Sequence, residues 1–144
     1  MFTPVKTQDG ASIPIKYVKG TSAESFTIGQ GVYENAGYAT NAGANVTVSP
    51  QYVAMATVAA STVAGSTTPL VPVIKVSENI QFEVVSSAQV TSTSVGSIVT
   101  ISTDGLHPTA TASTGAGGFR VEETDGSTTG YGGYSVVRGY FSKY

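Results

Sequence analysis

The sequence predicts an all-β protein, built as a single compact β-barrel or sandwich of short antiparallel strands with a flexible N-terminal arm. Apolar and polar residues alternate over short runs that are rich in Val, Thr and Tyr, which favour strands. Gly, Pro and Asp-Gly turn signals separate these runs at short intervals, as in sandwiches and barrels. In addition, no long window repeats apolar residues at the spacing of an amphipathic helix.

The clearest strands alternate between an inward and an outward set of residues. In Ile80–Val85 and in Phe119–Thr124, apolar residues occupy every second position. Further strands are predicted at Ser25–Ile28, Gly31–Glu34, Leu70–Val76, Val95–Ser102 and Tyr134–Phe141. Pro72 interrupts one of these segments, so we expect an edge strand at Leu70–Val76, because proline cannot donate to a central ladder.

One segment leaves helix and strand open. Tyr52–Ala60 contains Ala and Met, which favour helices, and it follows Ser49-Pro50, a pair that can open a first turn. The same segment also alternates and is followed by further β-branched residues, which favours a strand.

Three segments are expected to be loops. They are rich in Gly, Ser and Thr and offer little apolar area to bury. These segments are Ser61–Thr68, Ala110–Gly118 and Gly126–Gly133.

Residues 1–20 are expected to form an N-terminal arm, and residues 21–144 the β-domain. The first 20 residues contain two prolines, Pro4 and Pro14, and little inward-facing bulk. Within the arm, Ile13, Ile15 and Tyr17 alternate on one face, and Pro14 restricts this run to an edge strand or a free arm. We therefore expect that residues 1–19 can be deleted without loss of the fold.

Composition argues against several function classes. The chain has no Cys and one His, only 11% of its residues are charged, and its formal net charge is −2. A surface with so few Lys and Arg releases few counterions from a phosphate backbone, so no nucleic-acid partner is expected. The sequence shows no basic amphipathic segment and no apolar run long enough to cross a bilayer, so no membrane partner is expected. We also expect no cofactor and no metal.

Residues with catalytic potential are few and scattered. His107 is the only imidazole, and no Gly-x-Ser-x-Gly context for a hydrolase nucleophile accompanies it. We interpret it as an exposed loop residue. Glu122 and Glu123 are adjacent, so on a strand they point to opposite faces and do not form a facing pair. The sequence therefore predicts that the protein is not an enzyme.

The remaining functional signal is a group of aromatic residues near the C-terminus. Tyrosine combines a large, rigid contact area with a hydroxyl group, which suits interfaces and also stacking against sugars. A chain with few solubilising charges likewise tends to bury surface against a partner or another copy. We therefore interpret four of these aromatics as interface candidates: Tyr131, Tyr134, Tyr140 and Phe141.

From Pro69 onward, the order of elements resembles the small head-decoration (capsid cement) proteins of tailed bacteriophages. A Pro-Val strand at 69–76 is followed by a strand at 80–84, a Val-Gly-x-x-Val-x-Ile strand at 95–101, an Asp-Gly turn at 104–105 and a strand at 118–122. The resemblance covers about half of the chain. The Gly- and Tyr-rich tail from Gly126 onward departs from the family pattern.

The resemblance implies a structural virion protein that binds the outer surface of a phage head and stabilises contacts between neighbouring capsomers. It implies the major capsid protein as partner, a homo-oligomer with a trimer favoured, and a location on the outer capsid after synthesis in the host bacterial cytoplasm. The absence of an apolar signal-peptide core in Met1–Gly10 agrees with that site of synthesis. We expect the arm to add a strand to the shell, with Ile13, Ile15 and Tyr17 as capsid-binding anchors.

A carbohydrate-binding or adhesin-type β module of a phage fibre or cell surface is the alternative function. It rests on the Tyr-rich segments of a β-rich chain, because tyrosine rings can stack against sugars. Specific glycan binding would favour this alternative, whereas co-sedimentation with expanded phage heads would favour the decoration protein.

Overall fold

The computed structural model describes residues 1–21, 23–42, 49–60, 68–114, 118–128 and 134–142, and the structural statements below refer to these residues. They form strands and one 3-10 helix, Ser92–Ser94, with no α-helix among them. The all-β fold class is therefore confirmed. The strands are β1 Thr3–Thr7, β2 Ile15–Lys19, β3 Gly31–Asn35, β4 Tyr38–Asn41, β5 Tyr52–Ala54, β6 Leu70–Lys75, β7 Ile80–Val85, β8 Ile98–Ile101, β9 Pro108–Ala112, β10 Gly118–Thr124 and β11 Val136–Ser142.

The strands form two antiparallel sheets that pack face to face. Sheet A has six strands in the order β1-β7-β11-β10-β8-β9, and sheet B has five in the order β2-β6-β5-β3-β4. Neither sheet closes into a barrel. Of the two predicted architectures, the protein is therefore a sandwich.

The main core lies between the sheets and is built around an aromatic cluster. The ring centroid of Phe141 lies 4.7 Å from that of Phe2 and 5.3 Å from that of Phe82. The ring centroid of Phe119 lies 5.4 Å from that of Phe141, and both Phe82 and Phe119 meet Phe141 edge-on. Pairs of this kind add about 0.5–1.5 kcal/mol each beyond the area they bury. Sheet B completes this core with Ile74 and its neighbours.

Sheet B also has a second core on its other face. Phe26 is fully buried there against Val18, Val32 and Val71. A bridge between Gly20 and Ala39 brings the end of β2 close to β4, so the sheet curls around this core. Sheet B therefore presents apolar residues on both faces, unlike a simple half-exposed sheet.

Residues 1–20, for which an arm outside the 21–144 domain was predicted, instead supply an edge strand to each sheet. β1 pairs with β7 in sheet A, and β2 pairs with β6 in sheet B. The ring of Phe2 is buried in the main core, and its backbone N–H donates to the Gly29 carbonyl at 2.8 Å. Deletion of residues 1–19 removes these contacts, so we expect it to destabilise the fold.

β6 is an interior strand, so the expectation of an edge at Leu70–Val76 is wrong. The Pro72 carbonyl accepts the Met55 N–H at 2.8 Å, which places the backbone nitrogen of Pro72 on the same side, toward β5. Because β5 ends at Ala54, the missing N–H falls beyond the end of the neighbouring strand. An interior proline is tolerated at such a position.

Two further segments agree with their predictions in part. The strand alternative holds for Tyr52–Ala54, which is β5. Within Ser25–Ile28, only Phe26 makes a bridge, and the chain then turns at Gly29, whose φ is +75°.

The predicted loops are described only in part. β9 reaches Ala112 and β10 begins at Gly118, so both ends of the predicted loop Ala110–Gly118 lie in strands. Residues 61–67, 115–117 and 129–133 of the predicted loops lie outside the described residues.

Candidate interaction surfaces

An exposed apolar surface lies along the β2 edge of sheet B. Ile15 and Tyr17 on β2 and Leu70 on β6 have exposed fractions of 55%, 66% and 59%. Leu70 is the cross-strand partner of Lys19, and the three side chains share one face of the sheet. We call Ile15, Tyr17 and Leu70 the β2 surface. Large apolar side chains grouped in this way are typical of an interaction site.

The β2 surface is uncovered because sheet A ends beneath it. Ile15 pairs with Ile74, which points to the same face and is buried in the main core. Sheet A therefore covers Ile74 on β6 and leaves Ile15 on β2 uncovered. Val18, on the opposite face of β2, is buried in the second core.

The three predicted anchors lie in two environments. Ile15 and Tyr17 are exposed, as a contact role requires. Ile13 precedes β2 and is half-buried against the main core, so it supports the start of the strand and offers less contact area. Leu70 takes its place in the surface. Leu70 could not be assigned to this surface from the sequence, because only the β2–β6 pairing brings it beside Lys19.

The backbone of β2 offers hydrogen-bonding groups on its outer side. Gly20 N–H donates to the Pro69 carbonyl at 2.7 Å, so the backbone groups of Gly20 point toward β6. Along a strand, the backbone groups of successive residues point alternately to one neighbouring strand and to the other side. The N–H and C=O groups of Ile15 and Tyr17 therefore point away from β6. The described residues place no strand against this side at these two positions.

The edges of sheet A are irregular. The register of β1 with β7 shifts between Pro4 and Lys6, and the register of β9 with β8 shifts between Val99 and Ile101. Bulges twist an edge strand and discourage pairing with another chain. Both edges of sheet A are therefore protected.

The second edge of sheet B is partly covered. On β4, Ala39 bridges to Gly20, and the Asn41 N–H donates to the Glu24 carboxylate at 2.9 Å. β2, by contrast, pairs with β6 in an unbroken register. The same bridge covers the Lys19 end of β2, so the regular and open part of this edge is the stretch that carries Ile15 and Tyr17.

Lysine commonly protects an edge strand, but Lys16 is turned toward the concave face of sheet B. Its Nζ donates to Tyr52 Oη at 2.8 Å and lies 4.3 Å from the centroid of that ring. Tyr52 Oη in turn donates to Glu34 Oε2 at 3.3 Å. Lys19 at the end of β2 therefore provides most of the charge along this edge.

The C-terminal interface candidates do not form one cluster. Tyr134 is 44% exposed just before β11, and Tyr140 is half-buried on the outer face of sheet A. Phe141 as an interface residue is wrong, because the alternation of β11 turns it into the main core, where it is 1% exposed. Tyr131 lies outside the described residues.

A polar groove of about 250 Å³ lies beside Tyr140. Its lining combines amide, carboxylate, guanidinium and hydroxyl groups, from Gln8, Glu78, Asn79, Arg120, Tyr140 and Ser142. Burial, followed by a hydrogen bond to the Glu122 carboxylate, raises the pKa of Tyr140 above its ordinary value. The phenol therefore stays a neutral donor, in a groove whose donors and acceptors suit a polyhydroxylated ligand.

The rest of the outer face of sheet A is charged and internally paired. Arg138 donates to Glu83 Oε2 through Nε at 2.8 Å, and its Nη2 lies 2.7 Å from the same oxygen. Its Nη1 lies 3.4 Å from Glu123 Oε2. The hydrogen bond and charge of Glu83 are the main cause that raises the pKa of Arg138. These charges are paired across β7, β11 and β10.

Groups suited to catalysis do not converge within the described part of the chain. No group of three His, Cys, Asp or Glu side chains is placed there to hold a metal ion. His107 is half-buried and its Nδ1 lies 2.7 Å from the Val85 carbonyl, so the expectation of an exposed loop histidine is wrong. Among the same residues, no helix has the length and apolarity to span a membrane.

Comparisons with known proteins identify no relative. No family model, no curated protein sequence and no solved structure matches the chain.

Proposed function

We propose that this chain is a structural virion protein, a decoration (cement) protein that binds the outer surface of a phage head and stabilises contacts between neighbouring capsomers. The observation that supports it most is the β2 surface, which joins exposed apolar side chains to an open strand edge. Both features serve binding by strand addition. The resemblance of the chain from Pro69 onward to head-decoration proteins favours the same function.

The partner in this proposal is the major capsid protein. Ile15, Tyr17 and Leu70 supply apolar area for the contact, and the β2 backbone supplies hydrogen bonds without any reacting group. A shell repeats its binding positions many times, so modest contacts add through multivalency. The proposed location is the outer capsid surface.

Co-sedimentation with empty expanded heads of the phage that encodes the chain tests this function. The wild-type protein should pellet with the heads. Tyr17→Asp should weaken binding by about tenfold or more, because a charge replaces the aromatic ring that the proposed contact buries. Val5→Asp on β1 is the matched control, since Val5 is also an exposed apolar residue on an edge strand but belongs to sheet A. Heads that leave the wild-type protein in solution, or equal loss in both variants, would contradict the proposal.

Carbohydrate binding is a second candidate, and the groove beside Tyr140 is the observation that favours it. A glycan array tests it with the wild-type protein, Tyr140→Ala and Tyr134→Ala, the last being a control outside the groove. Specific glycan binding that Tyr140→Ala alone abolishes would favour the adhesin-type module. Absence of binding to every glycan would leave the decoration protein as the better proposal.

A further inference from the structure

Three Asp-Gly pairs lie in turns of the structure. Asp9-Gly10 lies between β1 and β2, Asp104-Gly105 between β8 and β9, and Asp125-Gly126 between β10 and β11. In each pair the glycine has a positive φ, between +63° and +71°. An Asp-Gly pair is chemically reactive, because glycine has no side chain to shield its backbone nitrogen from the carboxyl group of the preceding aspartate. The surroundings of each pair determine whether the folded chain lets the two groups meet.

We infer that Asp9 is the site at which the folded chain converts aspartate to isoaspartate. The Gly10 nitrogen attacks Cγ of Asp9, and an N–Cγ bond forms as the N–H proton and the carboxyl OH leave as water. Water then adds to the main-chain carbonyl carbon of Asp9 in the cyclic imide and breaks the bond from that carbon to the Gly10 nitrogen. In the product the main chain runs through Cγ, the α-carboxylate is free, and the mass is unchanged.

The attacking nitrogen is least restrained at Gly10. Its N–H makes one long hydrogen bond of 3.4 Å to a backbone carbonyl, beyond the usual range, and the residue is exposed. The Gly105 N–H donates to the Ser102 carbonyl at 2.9 Å, and Gly105 is buried. The Gly126 N–H donates to Thr124 Oγ1 at 3.1 Å, and Gly126 is half-buried. Attack by Gly10 therefore breaks the weakest of the three hydrogen bonds.

The carboxyl group of Asp9 also makes fewer hydrogen bonds than that of Asp125. Oδ1 of Asp9 accepts one hydrogen bond, from the Ala11 N–H at 3.0 Å. Oδ1 of Asp125 accepts two, from the backbone N–H groups of Ser127 and Val136, both at 3.0 Å. The second of these comes from the first residue of β11, so it ties the Asp125 side chain to the far side of its turn. Rotation of this carboxyl group toward the next nitrogen breaks both bonds.

Asp104 is held by its own turn and by sheet B. Its Oδ1 accepts hydrogen bonds from Ser102 Oγ and from the Leu106 N–H. The backbone of Gly105 lies so close to Asn41 of sheet B that a side chain at this position would collide with it. Rearrangement at Asp104 therefore requires the turn to open locally and to separate from sheet B.

Isoaspartate at position 9 should leave the fold intact, because the loop joins two strands that are held independently. β1 pairs with β7 in sheet A, and β2 pairs with β6 in sheet B. The rearrangement adds one methylene group to the main chain between them, beside Gly10, where the surrounding space is open. The modified residue therefore accumulates in folded protein.

Peptide mapping of the wild-type protein after prolonged incubation at physiological temperature and neutral pH tests the site directly. The probe is a protein isoaspartate methyltransferase, which transfers a methyl group from S-adenosylmethionine to the free α-carboxylate. In folded protein the label should appear in the peptide that contains Asp9 and not in those of Asp104 or Asp125. In urea-unfolded protein all three peptides should be labelled. Asp9→Glu should remove the label from folded protein, because its longer side chain closes a larger ring much more slowly.

Three asparagine variants compare the sites in one reaction, since asparagine forms the same cyclic imide with loss of ammonia and a change in mass. The measured quantity is the deamidation rate in folded protein divided by that in urea-unfolded protein, which removes the effect of sequence. For Asp9→Asn this ratio should lie within about threefold of one. For Asp104→Asn and Asp125→Asn it should be lower by about tenfold or more, because at least two hydrogen bonds of about 1 kcal/mol each must break first.

Three results would overturn the inference. They are label at Asp104 or Asp125 equal to that at Asp9 in folded wild-type protein, no label at Asp9 in folded protein that is labelled there once unfolded, and a rate ratio for Asp9→Asn as low as that for Asp104→Asn. Circular dichroism identifies any variant that does not fold, in which case the wild-type map decides. Neither measurement involves phage heads, so this inference and the proposed function fail separately.

Discussion

Sheet A and sheet B differ in what they leave exposed. Sheet A has a charged outer face whose Arg138 is paired with Glu83 and Glu123, and register shifts interrupt both of its edges. Sheet B has apolar residues on both faces and one regular, open edge, where Ile15 and Tyr17 are exposed. Two sheets of one sandwich thus show protected and unprotected edges side by side. The difference leaves sheet B as the sheet whose edge can accept a further strand.

The largest effect is expected where sheet A meets the main core. Phe141→Ala should lower the free energy of unfolding by about 3–5 kcal/mol, because it empties the centre of the aromatic cluster. Tyr140→Ala, on the adjacent position of β11, faces outward and should cost about 1 kcal/mol or less. Urea denaturation of the two variants measures both values. Equal losses would contradict the division of β11 into a core face and an outer face.

The second core of sheet B should be the weaker one. Val73→Ala should lower the free energy of unfolding by about 2 kcal/mol, because it removes two methyl groups from a fully buried side chain in the second core, which also holds Phe26 and Tyr52. Urea denaturation compares it with Phe141→Ala. A loss as large as that of Phe141→Ala would show that the two cores do not differ in this way.

The β2 surface should affect association and not stability. Leu70→Ser should change the free energy of unfolding by no more than about 0.5 kcal/mol, because 59% of Leu70 is already exposed. Its binding to phage heads should weaken by about threefold to tenfold, as expected for loss of a buried aliphatic side chain. Arg138→Ala on the outer face of sheet A is the matched control and should leave both stability and head binding nearly unchanged. If Arg138→Ala weakened head binding more than Leu70→Ser, the outer face of sheet A and not the β2 surface would be the contact.

The smallest expected effect concerns the turn between β8 and β9. Burial opposes ionisation of Asp104, but hydrogen bonds from Ser102 and the Leu106 N–H outweigh it and lower the pKa of Asp104 below its ordinary value. A lowered folded-state pKa contributes stability above the unfolded pKa of about 4, and this stability is lost as the pH falls through the folded value. The turn also contacts sheet B, since Gln30 Nε2 donates to the Asp104 carbonyl at 2.8 Å.

Thermal unfolding at several pH values tests this contribution. The melting temperature of the wild-type protein should fall more steeply below about pH 4 than that of Asp104→Asn, which cannot titrate there. Ser102→Ala removes one hydrogen bond to the Asp104 carboxylate but keeps the carboxylate, so its acid profile should lie between those of the wild type and Asp104→Asn. Identical profiles for Asp104→Asn and the wild type would show that ionisation of Asp104 does not contribute to stability.

Local alternation was enough to predict the fold class and several strands. Ile80–Val85 is β7 as predicted, and Phe119–Thr124 lies within β10, because their inward-facing apolar residues are buried: Ile80, Phe82, Val84, Phe119 and Val121. β9 was missed because its Thr-Ala-Thr-Ala sequence carries almost no apolar bulk. It is a strand because β8 provides a neighbour for its backbone.

The features that depend on distant neighbours could not be predicted. Pro72 indicates an edge strand from the sequence alone, because the sequence does not show that the neighbouring strand β5 ends beside it. Phe141 and Tyr140 are adjacent aromatics, and only the register of β11 separates core from surface. Ile15 and Tyr17 were correctly placed on one face, but Leu70 joins them through a pairing that spans many intervening residues.

Amide hydrogen exchange at Tyr17, compared between the free protein and protein that was bound to phage heads during exchange, tests the central claim about the β2 edge most directly. The Tyr17 N–H points outward, so in a single copy it is open to water, whereas the Val18 N–H next to it is bonded to β6. We predict that Tyr17 exchanges fast in the free protein and as slowly as Val18 in protein bound to phage heads. Fast exchange of Tyr17 in the head-bound protein as well, with Val18 protected throughout, would contradict the proposed contact.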